Sequence, residues 1–214
     1  MIDSSVLLAF VATSAVVILV PGSDMFLLLR LSLTRGVAAG VQALGGIHLG
    51  NAIQAALMIS GVGLLVSRIP FAIIALKVIG AAYLLYLAIT SWRSVLSKKS
   101  EPSVTADGRS DSTKTAERGS SAFGSGLLTN VTNPKVLLFF VAFFPQFLGS
   151  ASNIPLQLLM LSVVFIALAI VWELIIVLGA AKLGATMTSA NFSRVMDTIC
   201  AIAFTILAVL ILVP

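Results

Sequence analysis

Charged side chains are scarce in this sequence. Only 10% of the 214 residues are Asp, Glu, Lys or Arg, whereas 59% are hydrophobic and the mean hydropathy is +1.12. A soluble domain carries about 25% charged residues, so this chain has too few to cover a surface that faces water. The composition therefore predicts an integral membrane protein, with enough apolar residues for about six spans of roughly 20 residues each.

Cysteine and histidine are almost absent as well, since the chain has one of each, Cys200 and His48. A single cysteine excludes a disulfide within the chain and any multi-cysteine metal or iron–sulfur site. Two motifs of hydrolytic enzymes, H-E-x-x-H and G-x-S-x-G, do not occur in the sequence. We therefore expect no cofactor, no resident metal and no enzymatic activity.

Six apolar runs are long enough to cross a bilayer as helices, which satisfy their own backbone polar groups there. They cover residues 4–29, 39–66, 69–92, 124–148, 154–180 and 195–213. The one extended polar stretch, residues 97–121, is rich in Ser, Thr and charge and predicts a flexible linker. The first run lacks the basic start of a secretory signal and is expected to remain as a span. The chain is predicted to be one transmembrane domain over residues 1–214, which the linker divides into two halves of three spans.

Basic residues are unevenly divided between the two sides that these spans define. Ten Lys and Arg lie in the first loop, in the third loop (residues 93–123, which contains the polar stretch) and in the fifth loop, whereas Arg68 alone lies in a loop on the other side. Cytoplasmic loops carry the excess of Lys and Arg in membrane proteins. Both termini are therefore expected outside, with the 97–121 linker in the cytoplasm. The net charge of +5 then reports orientation and does not require a nucleic-acid partner.

Four charged residues fall inside or at the edge of predicted spans, where lipid disfavours them. They are Asp24, Lys77, Lys135 and Glu173. Glu173 is nearest the middle of its span, too deep to reach the interface, and is expected to be a paired structural charge or a transport-site carboxylate. Asp24 is also open to interpretation as a helix cap or an interfacial residue, and the two lysines could extend their ammonium groups to the interface.

Neutral polar side chains line one side of the second span. His48, Asn51 and Gln54 recur every three residues and so occupy an arc of about 120° on a helix. Two interpretations are open: the side chains tie helices together, or they form the polar wall of a cavity. We favour the cavity for His48 and Asn51, and treat Gln54 as at least as suitable for a helix tie.

Proline interrupts two of the apolar runs. Pro21-Gly22 breaks the first run and Asn133-Pro134 breaks the fourth, with Asn130 upstream and Lys135 just after. Proline lacks an N–H and frees the carbonyl four residues earlier, and such backbone is tolerated in a membrane where it lines a cavity. Because each half has an odd number of spans, we predict two inverted three-helix repeats, each with its first helix broken at a proline. Matching breaks in inverted repeats are typical of the binding sites of secondary transporters.

Segments at these positions resemble the LysE/RhtB family of bacterial amino-acid exporters. They read V-P-G-S-D-M at 20–25 with R-G-V-A-A-G at 35–40, L-K-V-I-G-A-A-Y-L-L-Y-L at 76–87, G-L-L-T-N-V-T-N-P-K at 126–135, and F-F-P-Q-F at 143–147, which includes Gln146. Ser23 stands where the family usually has a second proline. The resemblance implies six spans and efflux of amino acids or related small metabolites from the cytoplasm, coupled to the proton gradient.

The paired breaks and the intramembrane charges predict a secondary transporter, and the resemblance implies that it exports amino acids across the bacterial inner membrane. The substrate zwitterion would lie between the halves, with Asp24 near its ammonium and Lys135 or a helix N-terminus near its carboxylate. Glu173 or Asp24 would carry the coupling H+. Efflux of another small cation or toxic compound is an alternative, and a non-transport membrane enzyme is a more remote one. Small-residue pairs such as Gly36/Gly40 leave a homo-oligomer open.

Overall fold

The computed structural model describes residues 3–68, 71–96, 121–148, 153–187 and 189–212, and within these ranges the chain is helical with no strand. The helices are α1 (Ser4–Leu19), α2 (Ser23–Arg35), α3 (Val37–Arg68), α4 (Ala72–Leu96), α5 (Ala122–Val131), α6 (Pro134–Leu138), α7 (Ile154–Met187) and α8 (Ala190–Leu212). α6 continues directly into a π-helical turn, Phe139–Phe143, and a 3-10 turn, Phe144–Phe147, and the whole stretch Pro134–Phe147 is called the α6 segment below. The predicted 97–121 linker lies outside the described residues, apart from Ser121.

The first broken helix consists of α1 followed by α2. α1 ends at Leu19, shortly before Pro21, which has no N–H to donate to the carbonyl of Val17. α2 begins at Ser23 with Asp24 in its first turn, where a carboxylate complements the helix dipole. The two helices meet at an angle of 54°.

The second broken helix consists of α5 followed by α6. α5 begins after Ser121, whose hydroxyl oxygen accepts a hydrogen bond from the N–H of Gly124 at 3.0 Å. Asn133 caps α6, since its side-chain oxygen accepts from the N–H of Lys135 at 3.0 Å, and Pro134 takes the first helical position. α5 and the stretch Pro134–Phe147 meet at 49°. Each sequence half therefore contains one helix interrupted beside a proline.

Two of the described helices qualify as membrane spans by length and apolar composition alone, Val37–Gly61 within α3 and Ile154–Ala180 within α7. Each bent pair also qualifies when it is taken as one span, which gives up to four spans in the described residues. Large apolar side chains such as Leu57, Leu128 and Val171 remain more than half exposed on the outer faces, as in a protein surrounded by lipid. In the ranges that the structure describes the protein is all-helical, and its helices are those of a multi-pass membrane protein.

The closest helix packing joins α3 to α5. A Cβ atom on Gly46 would overlap the carbonyl oxygen of Phe123, and one on Gly126 would overlap the carbonyl oxygen of Ala43. Only residues without a side chain allow two helix backbones to approach this closely. These two glycines therefore fix the position of Asn130, which lies one turn after Gly126 on α5.

Buried apolar side chains form two clusters, one on each side of a polar layer. The first joins α1, α4, the middle of α3 after Asn51, the α6 segment, the first half of α7 and α8. The second joins α2, the part of α3 before Asn51, α5 and the second half of α7. Glu173 lies between Phe165 of the first cluster and Ile176 of the second along α7. Asn51 holds the equivalent place in α3, so the polar residues lie at mid-height in the bundle.

Candidate functional site

The ammonium group of Lys135 closes the end of α1. Its Nζ donates to the carbonyl oxygen of Val20 at 3.0 Å and lies 3.5 Å from that of Val17. Pro21 leaves the Val17 carbonyl without its helical partner, since proline has no N–H. A Cβ atom on Gly22 would lie only 3.0 Å from Nζ, so glycine at this position leaves room for the ammonium group. A residue from the second break thus satisfies backbone groups exposed by the first.

Asp24 is buried at the start of α2 and receives amide donors from the second break. Asn130 Nδ2 donates to its Oδ2 at 3.1 Å, and Asn133 Nδ2 donates to its Oδ1 at 3.3 Å. Asp24 and both asparagines are less than 10% exposed. Residues of the second break therefore donate both to the backbone and to the carboxylate of the first. Hydrogen bonds of this kind compensate for the loss of water around a carboxylate inside the membrane.

α3 extends this network through two amides. Asn130 Nδ2 also donates to Asn51 Oδ1 at 2.9 Å, and Gln54 Nε2 donates to the main-chain oxygen of Asn130 at 2.9 Å. A Cβ atom on Gly50 would lie 2.5 Å from Asn130 Oδ1, so glycine at that position admits the Asn130 side chain. Gln54 therefore ties α3 to α5, whereas Asn51 carries the network toward His48.

His48 connects the amide network to Glu173. Its Nε2 lies 3.1 Å from Glu173 Oε2, and its Nδ1 lies 3.3 Å from Asn51 Nδ2. Side chains of the pair are only 10% and 12% exposed. The distance is that of an ion pair, although the alignment falls short of a full hydrogen bond. This contact joins α3 to α7 across residues that are far apart in the chain.

The chemistry of the donors assigns a direction to this network. An ionised Asp24 only accepts, so Asn130 must present its Nδ2, and Asn51 must then present Oδ1 to Asn130 and Nδ2 to His48. His48 Nδ1 accepts from that amide, which leaves the proton of a neutral imidazole on Nε2, facing Glu173. The acceptor role of Asp24 and the tautomer of His48 are therefore connected through Asn130 and Asn51.

A cavity of about 40 Å³ opens between the two breaks and α7. Its charged and amide side chains are Asp24, Asn51, Lys135 and Glu173, and most of the remaining wall is apolar. An ordered water needs about 10–15 Å³ of such space, so this conformation has room for a few waters only. A larger molecule requires the surrounding helices to move apart.

The other residues predicted for the site take more peripheral places. Pro21 is half-buried within the first break, whereas Pro134 is exposed at the start of α6. Gln146 lies in the 3-10 turn and does not line the cavity. Lys77 belongs to α4, but its side chain lies outside the part of the chain that the structure describes.

Trp172 is a cavity residue that the sequence interpretation overlooked. It lines the cavity next to Glu173, and its indole Nε1 is buried without a hydrogen-bond partner. Its position one residue before Glu173, the carboxylate deepest in a predicted span, could have indicated that Trp172 lies near the site. Across the described residues, His, Cys, Asp and Glu side chains nowhere converge in threes, the arrangement that would hold a metal ion.

Comparisons with known proteins identify a family for this chain. The family model of the LysE type translocator matches residues 15–214. The chain is 28% identical over 196 residues to the uncharacterized membrane protein YrhP of Bacillus subtilis, covering 92% of this chain and 93% of that protein.

Two further relatives carry a functional name. The chain is 32% identical over 168 residues to the leucine efflux protein of Klebsiella pneumoniae, covering 78% of this chain and 72% of the relative. It is 35% identical over 132 residues to the leucine efflux protein of Salmonella typhimurium, covering 62% of this chain and 58% of the relative. No solved structure matches. The family match spans nearly the whole chain, and the protein therefore belongs to the LysE type translocator family.

Proposed function

We propose that this protein is a secondary active exporter of amino acids or closely related small metabolites, driven by the proton gradient across the bacterial inner membrane. One observation carries the proposal: both helix breaks lie at one cavity, which is lined by Asp24, Lys135 and Glu173. Charged side chains inside a membrane bundle usually mark a substrate or ion pathway. The leucine efflux relatives support amino acids as the substrate class.

The charged groups of the cavity suit both ends of a zwitterion. An amino-acid ammonium group would bind Asp24 and the carbonyls of Val17 and Val20, which already accept from the ammonium of Lys135. As the substrate ammonium takes those carbonyls, Lys135 would turn to the substrate carboxylate. Each charge of the substrate then replaces an interaction that the protein makes with itself, so neither is left unpaired in the bundle.

Glu173 is proposed as the proton carrier, with His48 as its partner. When Glu173 is ionised, the charges of Asp24, Glu173 and Lys135 sum to −1, and when it is protonated they sum to zero. A proton on Glu173 also removes the attraction between its carboxylate and His48 Nε2. Proton uptake therefore changes both the charge of the cavity and the contact between α3 and α7, which are the two quantities that coupled transport requires.

The proposal includes six spans in two inverted three-helix repeats. The bent pair α1–α2 with α3 and α4 forms the first repeat, and the bent pair α5–α6 with α7 and α8 forms the second. α4 and α8 have 25 and 23 residues, long enough to cross the hydrocarbon. The excess of Lys and Arg supports termini outside and the 97–121 linker in the cytoplasm.

Transport by the purified protein in liposomes tests the function. Liposomes loaded with radiolabelled leucine should release it faster through the wild-type protein when the external buffer is made more acidic than the interior. Glu173→Gln should abolish this acceleration and retain counterflow against unlabelled leucine, because exchange needs no net movement of protons. Glu117→Gln, in the predicted linker, is the matched control and should behave as the wild type.

The two parts of the proposal fail separately. If none of the twenty amino acids exchanges through the wild-type protein, amino-acid export is wrong. If Glu173→Gln responds to the pH gradient as strongly as the wild type, amino-acid transport stands and the assignment of the proton to Glu173 is wrong.

A further inference from the structure

One face of α7 presents both a carboxylate and a row of apolar side chains to the cavity. Phe165, Ala169, Trp172 and Ile176 line it together with Glu173. Their spacing of three and four residues places them on one side of the helix. Glu173 lies beside the charged groups of the breaks, whereas Ala169 and Phe165 lie one and two turns away from it along the helix, toward Ile154.

The opposite wall of the cavity, formed by the α6 segment, also changes from a charged residue to apolar residues along its length. Lys135 is followed on the α6 segment by Val136 and Phe139, which both line the cavity. Phe139 meets Phe165 across the cavity, with ring centroids 4.9 Å apart. The cavity therefore has a charged end between the two breaks and an apolar end closed by two aromatic rings.

Ala169 is the smallest side chain of this apolar end. It is 3% exposed and lies between the aromatic rings and Glu173, where a larger side chain would fill space beside the charged groups. The size of the apolar end therefore depends strongly on residue 169, because a side chain larger than alanine would occupy space that the cavity now has.

We propose that the apolar end holds the side chain of the transported amino acid, that the substrates are uncharged amino acids with apolar side chains, and that Ala169 sets the largest side chain accepted. This inference rests on the proposed function. The ammonium and carboxylate groups lie at the charged end, and the side chain extends along α7 toward Phe165. A cationic or anionic side chain would end against Phe139 and Phe165, away from the charged lining residues, and would lose its hydration without gaining a counter-charge.

The order of preference follows from burial of the side chain. Each methylene that leaves water for an apolar site improves binding by about fourfold, which corresponds to about 0.8 kcal/mol. Leucine has three more carbon atoms than alanine and should therefore be strongly preferred by the wild-type protein. Lysine and glutamate should compete with leucine at least tenfold less well than methionine, which is similar in length and uncharged.

Competition in proteoliposome counterflow tests the inference. Ala169→Leu adds three carbon atoms to the apolar end and should lower the ratio of leucine to alanine transport at least fivefold. Ala167→Leu is the matched control, because Ala167 is exposed on the same helix away from the cavity and the ratio should stay unchanged. Since both rates come from one preparation, the ratio does not depend on how much protein folds.

Ala169→Gly provides the opposite change if Ala169→Leu yields no folded protein. It should raise the ratio of phenylalanine to leucine transport. Lysine or glutamate as the preferred substrate of the wild-type protein would overturn the inference and leave amino-acid export intact, as would ratios that neither Ala169 variant alters. A wild-type protein that exchanges no amino acid would overturn the proposed function as well.

Discussion

Lys135 Nζ lies 3.0 Å from the main-chain oxygen of Val20. An ammonium group just after the second helix break therefore caps the C-terminal end of α1, the helix that ends at the first break. The reverse contact runs from Asn133 to Asp24 at 3.3 Å. Each break therefore exposes backbone or charge that residues of the other break satisfy. This exchange explains how two interruptions of the helical hydrogen bonds are tolerated within one apolar bundle.

Replacing Lys135 by methionine should destabilise the protein. The substitution keeps an unbranched side chain of similar length, but it removes the donor to the Val17 and Val20 carbonyls. A buried acceptor that loses its partner costs about 1–3 kcal/mol, so the midpoint of thermal unfolding in detergent should fall by several degrees. Lys182→Met, at an exposed position of α7, should leave the midpoint unchanged. Equal midpoints for both variants would contradict the capping role of Lys135.

Asp24→Asn should reduce transport at least tenfold while leaving the protein folded. The new amide retains one oxygen for Asn130 or Asn133 but turns its NH₂ group toward the other donor. It also removes the negative charge proposed to bind the substrate ammonium. Initial rates of counterflow measure the effect. Asp3→Asn is the control, because Asp3 is exposed and asparagine also caps a helix; similar losses in both variants would argue against a role for Asp24.

The tautomer of His48 can be measured directly, because it is the only histidine in the chain. In protein labelled with ¹⁵N-histidine, at a pH where the imidazole is neutral, Nε2 should carry the proton and Nδ1 should be unprotonated, since Nδ1 faces the Asn51 amide. Asn51→Leu should weaken this preference, because only Glu173 then favours a proton on Nε2, and the Nδ1-protonated form should become more populated than in the wild type. A wild-type spectrum with the proton on Nδ1 would show that the network has the opposite direction.

Gly46→Ala should destabilise the bundle by about 3 kcal/mol or more, since the added Cβ meets the Phe123 backbone, which has no flexible end to move aside. Gly61→Ala offers the same chemical change at an exposed position of α3 with open space around it, and alanine there should be neutral or slightly stabilising. Thermal unfolding of the two variants in detergent compares them. A tolerated Gly46→Ala would mean that α3 and α5 can separate without loss of stability.

The sequence predicts the membrane class and both breaks, because these depend on local properties. Apolar composition determines the solvent that the chain needs, and Pro21 and Pro134 interrupt helices wherever they occur. Asp24, Asn130 and Asn133 are predicted for the same reason, as polar groups adjacent to those breaks.

The partners of the site residues depend on tertiary packing and could not be predicted in the same way. His48 and Glu173 belong to different sequence halves, and only the packing of α3 on α7 brings them to 3.1 Å. Nor does the apolar pattern distinguish an α-helix from the π-helical and 3-10 turns that follow α6. Those turns surround Pro145, which cannot donate to the carbonyl of Val141.

The direct backbone contact at Gly46 and Gly126 restricts how the cavity can open. Helices joined without intervening side chains cannot slide past one another by changing rotamers, so α3 and α5 are expected to move as a single body. α3 and α5 belong to opposite sequence halves, so their contact is expected to hold the two halves rigidly together. A change of the bends at 54° and 49° would open the cavity without disturbing this contact, because α1 and the α6 segment would move while α3 and α5 stay together.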